Sequence, residues 1–441
     1  MLSRPMPSLL WSVCSQTVMS VMMASLYSLA DTFFVARSVG AFAAGAVSLA
    51  GPLMTTVGAF ASMVGAGGAS LVSRALGRGD RETAARVTAN TFLLYYLVTA
   101  LFTLVGLWKL KPIVIFLGAE GPLLPLTLDY ARIIVAGTVT ATGFSSLMRA
   151  EGNIRQSIYQ WVIPSVINLL LDPLLISLLG VKGAAYATVL SQLVSMALSW
   201  WYFLFSGKSV SAVRLGHFRP RPRLMLEIAA IGLPSLLTRI CSSGYITVVN
   251  RQLAALGGPV AISAFGIIGR LKSFLTMPTA GIGQGLQPVF GFNFSAGKHD
   301  RVRQAVRLTA GFTVVYGLAL LALCQLFPGW LIGLFVSEEE VVAQGASMLR
   351  VIALSLPLTG VGSIAAVYYQ STGKKRTAYL LPLAGTLLIS LPALFALVGA
   401  AGLAGAVASF PVSDALTFLL NGSFLLYSFH NENRKEKLKH E

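Results

Sequence analysis

Two polar residues interrupt the apolar run from Ile167 to Ile176: Asn168 and, four residues on, Asp172. In a helix that spacing puts both side chains on one face. A carboxylate at the centre of a membrane span costs roughly 2.5–3.5 kcal/mol, so something must offset it. Asp31 is a second acid in apolar surroundings, and Tyr130 and Thr188 add hydroxyls within other apolar runs. If these runs are spans, Asp31, Tyr130, Asp172 and Thr188 each lie roughly 7–11 Å below the outer helix ends, at about 1.5 Å per residue. Two carboxylates with amide and hydroxyl oxygens suit a hard cation such as Na⁺. Two close carboxylates also raise one pKa, so the same set suits a proton. The competing account has each acid neutralised separately, by a hydroxyl or by Arg132, in a packing role.

The elements that would position these groups follow from composition. Of 441 residues, 55% are hydrophobic and only 11% charged, with a mean hydropathy of +0.74. Soluble domains average about 25% charged residues, so this chain cannot cover a water-facing surface. Apolar runs broken by Gly, Pro and charge clusters predict spans near 8–36, 41–73, 87–108, 124–148, 157–179, 183–206, 226–250, 258–294, 308–330, 344–370, 377–398 and 402–428. That makes an all-α polytopic membrane protein of twelve transmembrane helices. The second and eighth runs exceed what a bilayer needs, which predicts tilt or projection. The first apolar run is too long for a signal peptide and has no small-residue cleavage pattern.

The net charge of +17 is a matter of topology. With the N-terminus inside, 23 of the 33 Lys and Arg fall in inner segments, 5 in outer loops and the rest within spans. This is the positive-inside pattern, and no nucleic-acid partner is needed to explain it. It places both termini in the cytoplasm and the protein in the plasma (inner) membrane.

The chain also repeats. Gly77-Arg-Gly-Asp80-Arg81 with Ala85 recurs as Gly297-Lys-His-Asp300-Arg301 with Ala305, and the run opening at Gly183 recurs at Gly405. Two six-helix lobes follow, related by a pseudo-two-fold repeat along the membrane normal. Residues 1–206 form the first lobe with the cation site, 207–225 a cytoplasmic linker, 226–430 the second lobe and 431–441 a basic cytoplasmic tail. The second lobe has no acid opposite Asp172. Its Asp414 is a secondary proton candidate, with Asn250 and Gln284 as further polar positions, or it pairs with Arg239 or Arg350. Arg239, Arg270, Lys272 and Arg350 either face a cavity or snorkel and pair. Met19, Met22, Met23, Phe33 and Phe34 either line a cavity or belong to the ordinary core.

Enzymatic signatures are missing. Gly281-Ile-Gly-Gln-Gly285 follows no strand and reads as close helix packing. Gly207-Lys-Ser209 lacks the first glycine of a phosphate-binding loop, so the chain does not drive transport with ATP. All four His lie in loops or the tail, and Cys14, Cys241 and Cys324 are packing residues without metal spacing. No catalytic residue and no cofactor beyond a coupling ion is expected.

The chain resembles the multidrug and toxic compound extrusion (MATE) transporters, especially the branch with the DNA-damage-inducible F proteins. The resemblance rests on Leu29-Ala-Asp-Thr-Phe-Phe-Val35, Ser70-Leu-Val-Ser-Arg-Ala-Leu-Gly-Arg-Gly-Asp80, Arg149-Ala-Glu-Gly-Asn153, Asn168-Leu-Leu-Leu-Asp-Pro173, Gly183-Ala-Ala-Tyr-Ala-Thr188 and Gln287-Pro-Val-Phe-Gly-Phe-Asn293. It implies a V-shaped pair of lobes, H⁺- or Na⁺-coupled export of amphipathic, often cationic compounds, and a first-lobe cation site at Asp31, Tyr130, Asn168, Asp172 and Thr188. Two departures stand out. Pro5 and Pro7 lie only at the start of the first helix, away from the mid-span proline of some relatives. The seventh span offers Arg239, Tyr245 and Asn250 but no acid except Glu227 at its mouth. The expected partners are a small amphipathic molecule and the lipid bilayer, and the expected working unit is a monomer. The alternatives are a flippase for a lipid-linked sugar in the same superfamily, which Arg270 and Arg350 keep open, and an intramembrane aspartyl enzyme.

Overall fold

The computed structural model describes residues 3–39, 41–117, 123–141, 144–336 and 338–440, without the side chains of 23–49, 123, 254, 259, 375 and 432–440. Among the described residues there are helices and no strand. Physical chemistry requires this of a chain so poor in charge. Backbone groups surrounded by lipid must be satisfied within the segment, and a helix does so.

The first half comprises α1 (Met6–Val39), α2 (Ala41–Gly77), α3 (Arg81–Trp108), the short α4 (Leu110–Phe116), α5 (Leu123–Ala136), α6 (Ser145–Ala150), α7 (Ile154–Leu179) and α8 (Val181–Trp200). The second opens with α9 (Pro222–Ser295), which breaks into two arms at Gly258, where φ is 62°. Then come α10 (His299–Leu326), α11 (Pro328–Gly333), α12 (Glu339–Ala353), α13 (Leu356–Ser371), α14 (Lys375–Leu383) and α15 (Leu391–His440), itself broken at Ala401 and Gly402. Among the described residues, nine helices are long and apolar enough to cross a membrane, or ten if α12 and α13, bent by 51°, form one span. The break at Gly402 divides the stretch 376–431, and α1 covers the first expected span, so helices stand at all twelve expected positions. α2 runs 37 residues and the second arm of α9 runs 36, both beyond the roughly 20 that a bilayer needs. Outward faces are apolar: Leu97, Leu101, Leu104 and Trp108 make one stripe on α3, 61–77% exposed. A stripe of that kind is stable only against lipid.

The repeat is visible in the backbone. Left-handed glycines end helices at Gly79, Gly152 and Gly180, with φ of 79°, 84° and 59°. They recur at Gly297, Gly373 and Gly402, with φ of 73°, 75° and 54°. Only glycine adopts this conformation without strain. The first pair corrects the register read from the sequence, which set Gly77 beside Gly297. The turning residue is Gly79, and α3 and α10 start 218 residues apart. At that turn Asp80 caps α3 by accepting from the Thr83 amide at 2.9 Å. Hydrogen bonds from the Thr83 side chain and then from its amide hold the Asp80 carboxyl below the usual range. In the second half Lys298 occupies the cap, and Asp300 instead accepts from Arg303 Nη1 at 2.9 Å.

The chain forms two compact units, Met19–Leu236 and Met1–Val18 with Leu237–Glu441. Each sequence half therefore begins with a segment that packs in the other unit. In the first unit the leading turns of α9 lie on α2: a Cβ on Gly232 would strike the Met63 carbonyl, and one on Gly67 the Ile228 carbonyl. In the second, α1 lies on the second arm of α9, where a Cβ on Gly281 would meet the Val18 backbone and one on Gly285 would meet Thr17 and Cys14. The stretch 281–285, with three glycines in five residues, is thus a close-packing face, as expected.

A buried carboxylate gathers the start of the linker. Glu151, after α6, is 5% exposed. It accepts from Tyr202 Oη at 2.8 Å, Ser209 Oγ at 2.9 Å, Val210 N at 3.1 Å and Ser211 N at 3.2 Å. Glu151→Ala leaves these donors unsatisfied, at about 1–3 kcal/mol for each one that stays buried. The expected result is faster limited cleavage by trypsin after Lys208 and Arg214. A digestion rate equal to wild type would show that the carboxylate does not hold the linker.

Candidate functional site

α7 is apolar outside and polar inside. Leu170, Leu174 and Leu178 are exposed, while its buried stripe is Ile154, Ser157, Gln160, Pro164, Asn168, Asp172 and Ile176. The stripe advances by three or four residues per step, the helical repeat. Its polar members divide into two groups. Gln160 Nε2 donates to the Ser195 carbonyl and Oγ, both at 2.7 Å, and to Ser199 Oγ at 2.6 Å, which ties α7 to α8. Two turns further along, Asn168 is fully buried and neither its Oδ1 nor its Nδ2 has a hydrogen-bond partner among the described residues. A buried amide left so costs about 1–3 kcal/mol per group, and native interiors rarely tolerate it. Asp172, one turn from it, is also 0% exposed.

Neighbouring helices bring the other expected groups. α8 packs against both α7 and α5. Thr188 of α8 is 8% exposed, and its Oγ1 donates to the Ala184 carbonyl at 3.0 Å, leaving oxygen lone pairs available. Tyr130 of α5 is 5% exposed, in the apolar cluster that includes Ile134, Ile176, Val181 and Ala184. Tyr130 lies seven residues from the start of α5, Thr188 seven from the start of α8 and Asp172 seven from the end of α7, about 10 Å along each helix. Tyr130, Asn168, Asp172 and Thr188 are thus all buried on packed helices of one unit. Asp31 lies within α1 at a position whose side chain is outside the described residues, as are Met23, Phe33 and Phe34. Arg132 is exposed and pairs with no acid among the described residues, so it is not the neutralising partner of Asp172. No group of three His, Cys, Asp or Glu stands together among the described residues.

The α7–α8 hairpin is set by two glycines. Gly180 turns the chain, and Gly183 brings α8 so close that a Cβ there would strike the Leu175 carbonyl. Gly402 and Gly405 repeat the pair, with the Leu397 carbonyl as the contact. By this register Leu394, 0% exposed, stands where Asp172 does, Phe410 where Thr188 does, and Asp414 where Gln192 does. In the first half Gln192 Oε1 accepts from Thr140 Oγ1 at 3.3 Å. The same scaffold thus carries an acid at a different place in each half.

The partner of Asp414 corrects the expectation of Arg239 or Arg350. Lys272 Nζ, on the second arm of α9, lies 3.6 Å from Asp414 Oδ2. Arg239 and Arg350 are exposed. Lys272 and Asp414 are 142 residues apart in sequence, and no local pattern joins them. Asn250 and Gln284 are exposed and make no hydrogen bond to Asp414 or Lys272. The missed first-half residues, Gln160, Ser195 and Ser199, had a signal: polar residues at helical spacing facing each other across α7 and α8.

Comparison with known proteins gives a consistent family. The MatE family model matches residues 17–174 and 234–396. The multidrug export protein MepA of Staphylococcus haemolyticus (strain JCSC1435) is 27% identical over 418 residues, covering 93% of this chain and 91% of that protein. The FAD transporter of Shewanella oneidensis is 26% identical over 427 residues, covering 94% and 93%. A crystal structure of MATE in the bent conformation superposes with a TM-score of 0.91 at 23% identity, covering 98% and 97% of the two chains. At that identity the structural match speaks for the fold alone.

Proposed function

Because this chain belongs to the MatE family, whose members are transporters and not enzymes, we propose that it is a cation-coupled antiporter. In this reading it exports amphipathic, cationic organic compounds across the plasma (inner) membrane by alternating access, driven by H⁺ or Na⁺. The relatives named as multidrug export proteins support that substrate class. The motif set around Asp31 and Asp172 supports a place near the DNA-damage-inducible F branch. The excess of Lys and Arg in the inner segments supports cytoplasmic termini, and a single chain is the working unit.

The observation that carries the reading is the inward stripe of α7, where a fully buried Asp172 stands one turn from a fully buried Asn168 whose amide is unpartnered among the described residues. Stability alone would fill these positions with apolar residues. A site for a small ion gives them a purpose. Asp31, Tyr130, Asn168, Asp172 and Thr188 hold H⁺ or Na⁺ through their oxygens: the carboxylates supply the charge, and amide and hydroxyls complete the shell. Export then requires that ion and substrate bind the inward- and outward-open states with different affinities. An ion bound from outside favours release of the substrate, and substrate binding at the inner face favours release of the ion.

Purified protein in vesicles tests this. A Na⁺ gradient and a pH gradient, imposed separately, are expected to differ, one driving ethidium movement and the other leaving it at the level of leak. If neither gradient moves ethidium faster than in empty vesicles, the antiporter reading is wrong.

A further inference from the structure

The second unit holds a polar cluster that the first-half ion site does not need. Lys272 Nζ donates to Ser355 Oγ at 3.1 Å and lies 3.6 Å from Asp414 Oδ2. Its ammonium stands 5.8 Å from the centre of the Phe410 ring. That ring packs edge-on against Tyr245 at 5.8 Å and tilted by 38° against Phe265 at 5.5 Å. Tyr245 Oη in turn lies 3.5 Å from Ser409 Oγ. Lys272 and Tyr245 lie about 20 Å along α9 from its break at Gly258, and Asp414 about 18 Å along α15 from Gly402, at 1.5 Å per residue. The cluster is therefore deep in the helices, away from the ends where a long basic side chain snorkels.

Its geometry is that of an open pair. A closed charge-assisted contact lies near 2.7–2.9 Å, and this one is longer. Ser355 is 0% exposed, while the side chains of Lys272 and Asp414 keep 27% and 31% of their surface accessible. An ammonium has three donors. Ser355 takes one, and Asp414 is a loose neighbour to another. The side chain therefore presents a reachable positive charge beside an aromatic wall. The place equivalent to Asp414 in the first half holds Gln192, a neutral amide already bonded by Thr140, so the acid facing Lys272 is specific to the second half.

We propose that Lys272 binds the anionic group of a planar aromatic anion, a sulfonate, carboxylate or phosphate, whose ring rests against Phe410 and Tyr245. Asp414 is the internal competitor: it occupies the ammonium when no anion is present and is displaced by the ligand. The proposal rests on the export reading above and extends it to substrates of opposite charge. The transporter then carries separate subsites for coupling cation and substrate anion, one in each half.

Two dyes with the same xanthene ring and opposite charge make the test: sulforhodamine B, an anion, and rhodamine 6G, a cation. Binding to the purified full-length protein is read by fluorescence polarisation. Lys272→Met is expected to weaken sulforhodamine B by about tenfold or more, the scale of one lost charged contact, and to leave rhodamine 6G within about twofold. Lys272→Arg retains the anion. Asp414→Asn removes the competitor and is expected to tighten sulforhodamine B. The proposal is overturned if wild type shows no saturable sulforhodamine B binding, if Lys272→Met binds it as wild type does, or if both single variants lose both dyes alike, which would mark the pair as a support of the fold. Rhodamine 6G export by wild-type vesicles reports separately on the export reading, so the two can fail independently.

Discussion

Asp172→Asn is expected to remove ion-driven export while the protein still inserts and folds. The substitution keeps the volume and the helix and deletes only the charge, so packing around α7 is retained. What disappears is the group that, in the proposed site, would let the ion prefer one state over the other. Site-to-site coupling of ordinary size is about 5–150-fold, and export driven by a gradient is expected to fall by at least that much, to the level of leak. Ethidium efflux from vesicles with matched protein content measures it. Undiminished transport in this variant, or in Asp31→Asn, would sink the site assignment. Asn168→Leu separates function from stability at the same place. It replaces an amide without partners among the described residues by an apolar side chain, so the fold should gain stability while coupling weakens. A variant that lost both together would point to a packing role for the amide.

The second large effect is expected at Gly183. A Cβ there meets the Leu175 carbonyl, which is backbone and cannot turn aside. Gly183→Ala must therefore push α8 off α7, at about the 1–3 kcal/mol of overpacking or more. The displacement starts one turn from Asp172 and five residues from Thr188. Both folding yield and transport are expected to fall, and Gly405→Ala in the second half should show the same loss of yield. Gly311 is the contrast: it is inside α10 with open space where its Cβ would stand. Gly311→Ala is expected to be neutral or to stabilise by roughly 0.5–1 kcal/mol, the helix-propensity gain of alanine over glycine. Thermal unfolding followed by size-exclusion yield ranks the three. Equal midpoints for Gly183→Ala and wild type would refute the close-packing account.

Much of this architecture could be read from residue order. Low charge and long apolar runs dictate spanning helices, and glycines at 180, 183, 402 and 405 mark the two equivalent hairpins. The pairing of Asn168 with Asp172 on one face follows from four-residue spacing alone. Other features depend on contacts between distant segments, which periodicity does not encode. The partner of Asp414 is Lys272, on another helix, where the nearest alternatives in type were arginines. Residue type alone does not distinguish Gly77 from Gly79 as the turning residue before α3, and only the backbone dihedral of Gly79 does. Glu151 lies in a motif, yet its four donors come from segments about 50–60 residues later, and a motif says nothing about who bonds to it.

The exchange of leading segments between the two units carries a consequence for biosynthesis. The segment ending at Val18 leaves the ribosome well before the glycines it packs against, Gly281 and Gly285, which are made some 260 residues later. Likewise the Gly67 and Met63 surface of α2 stays uncovered until Ile228 and Gly232 have been made. Neither unit can therefore finish packing as it is synthesised, unlike a chain of independent domains that fold one after another. The nascent first half must wait in the membrane with part of its helix surface open, and the arrival of α9 is the step that completes one unit and begins the other.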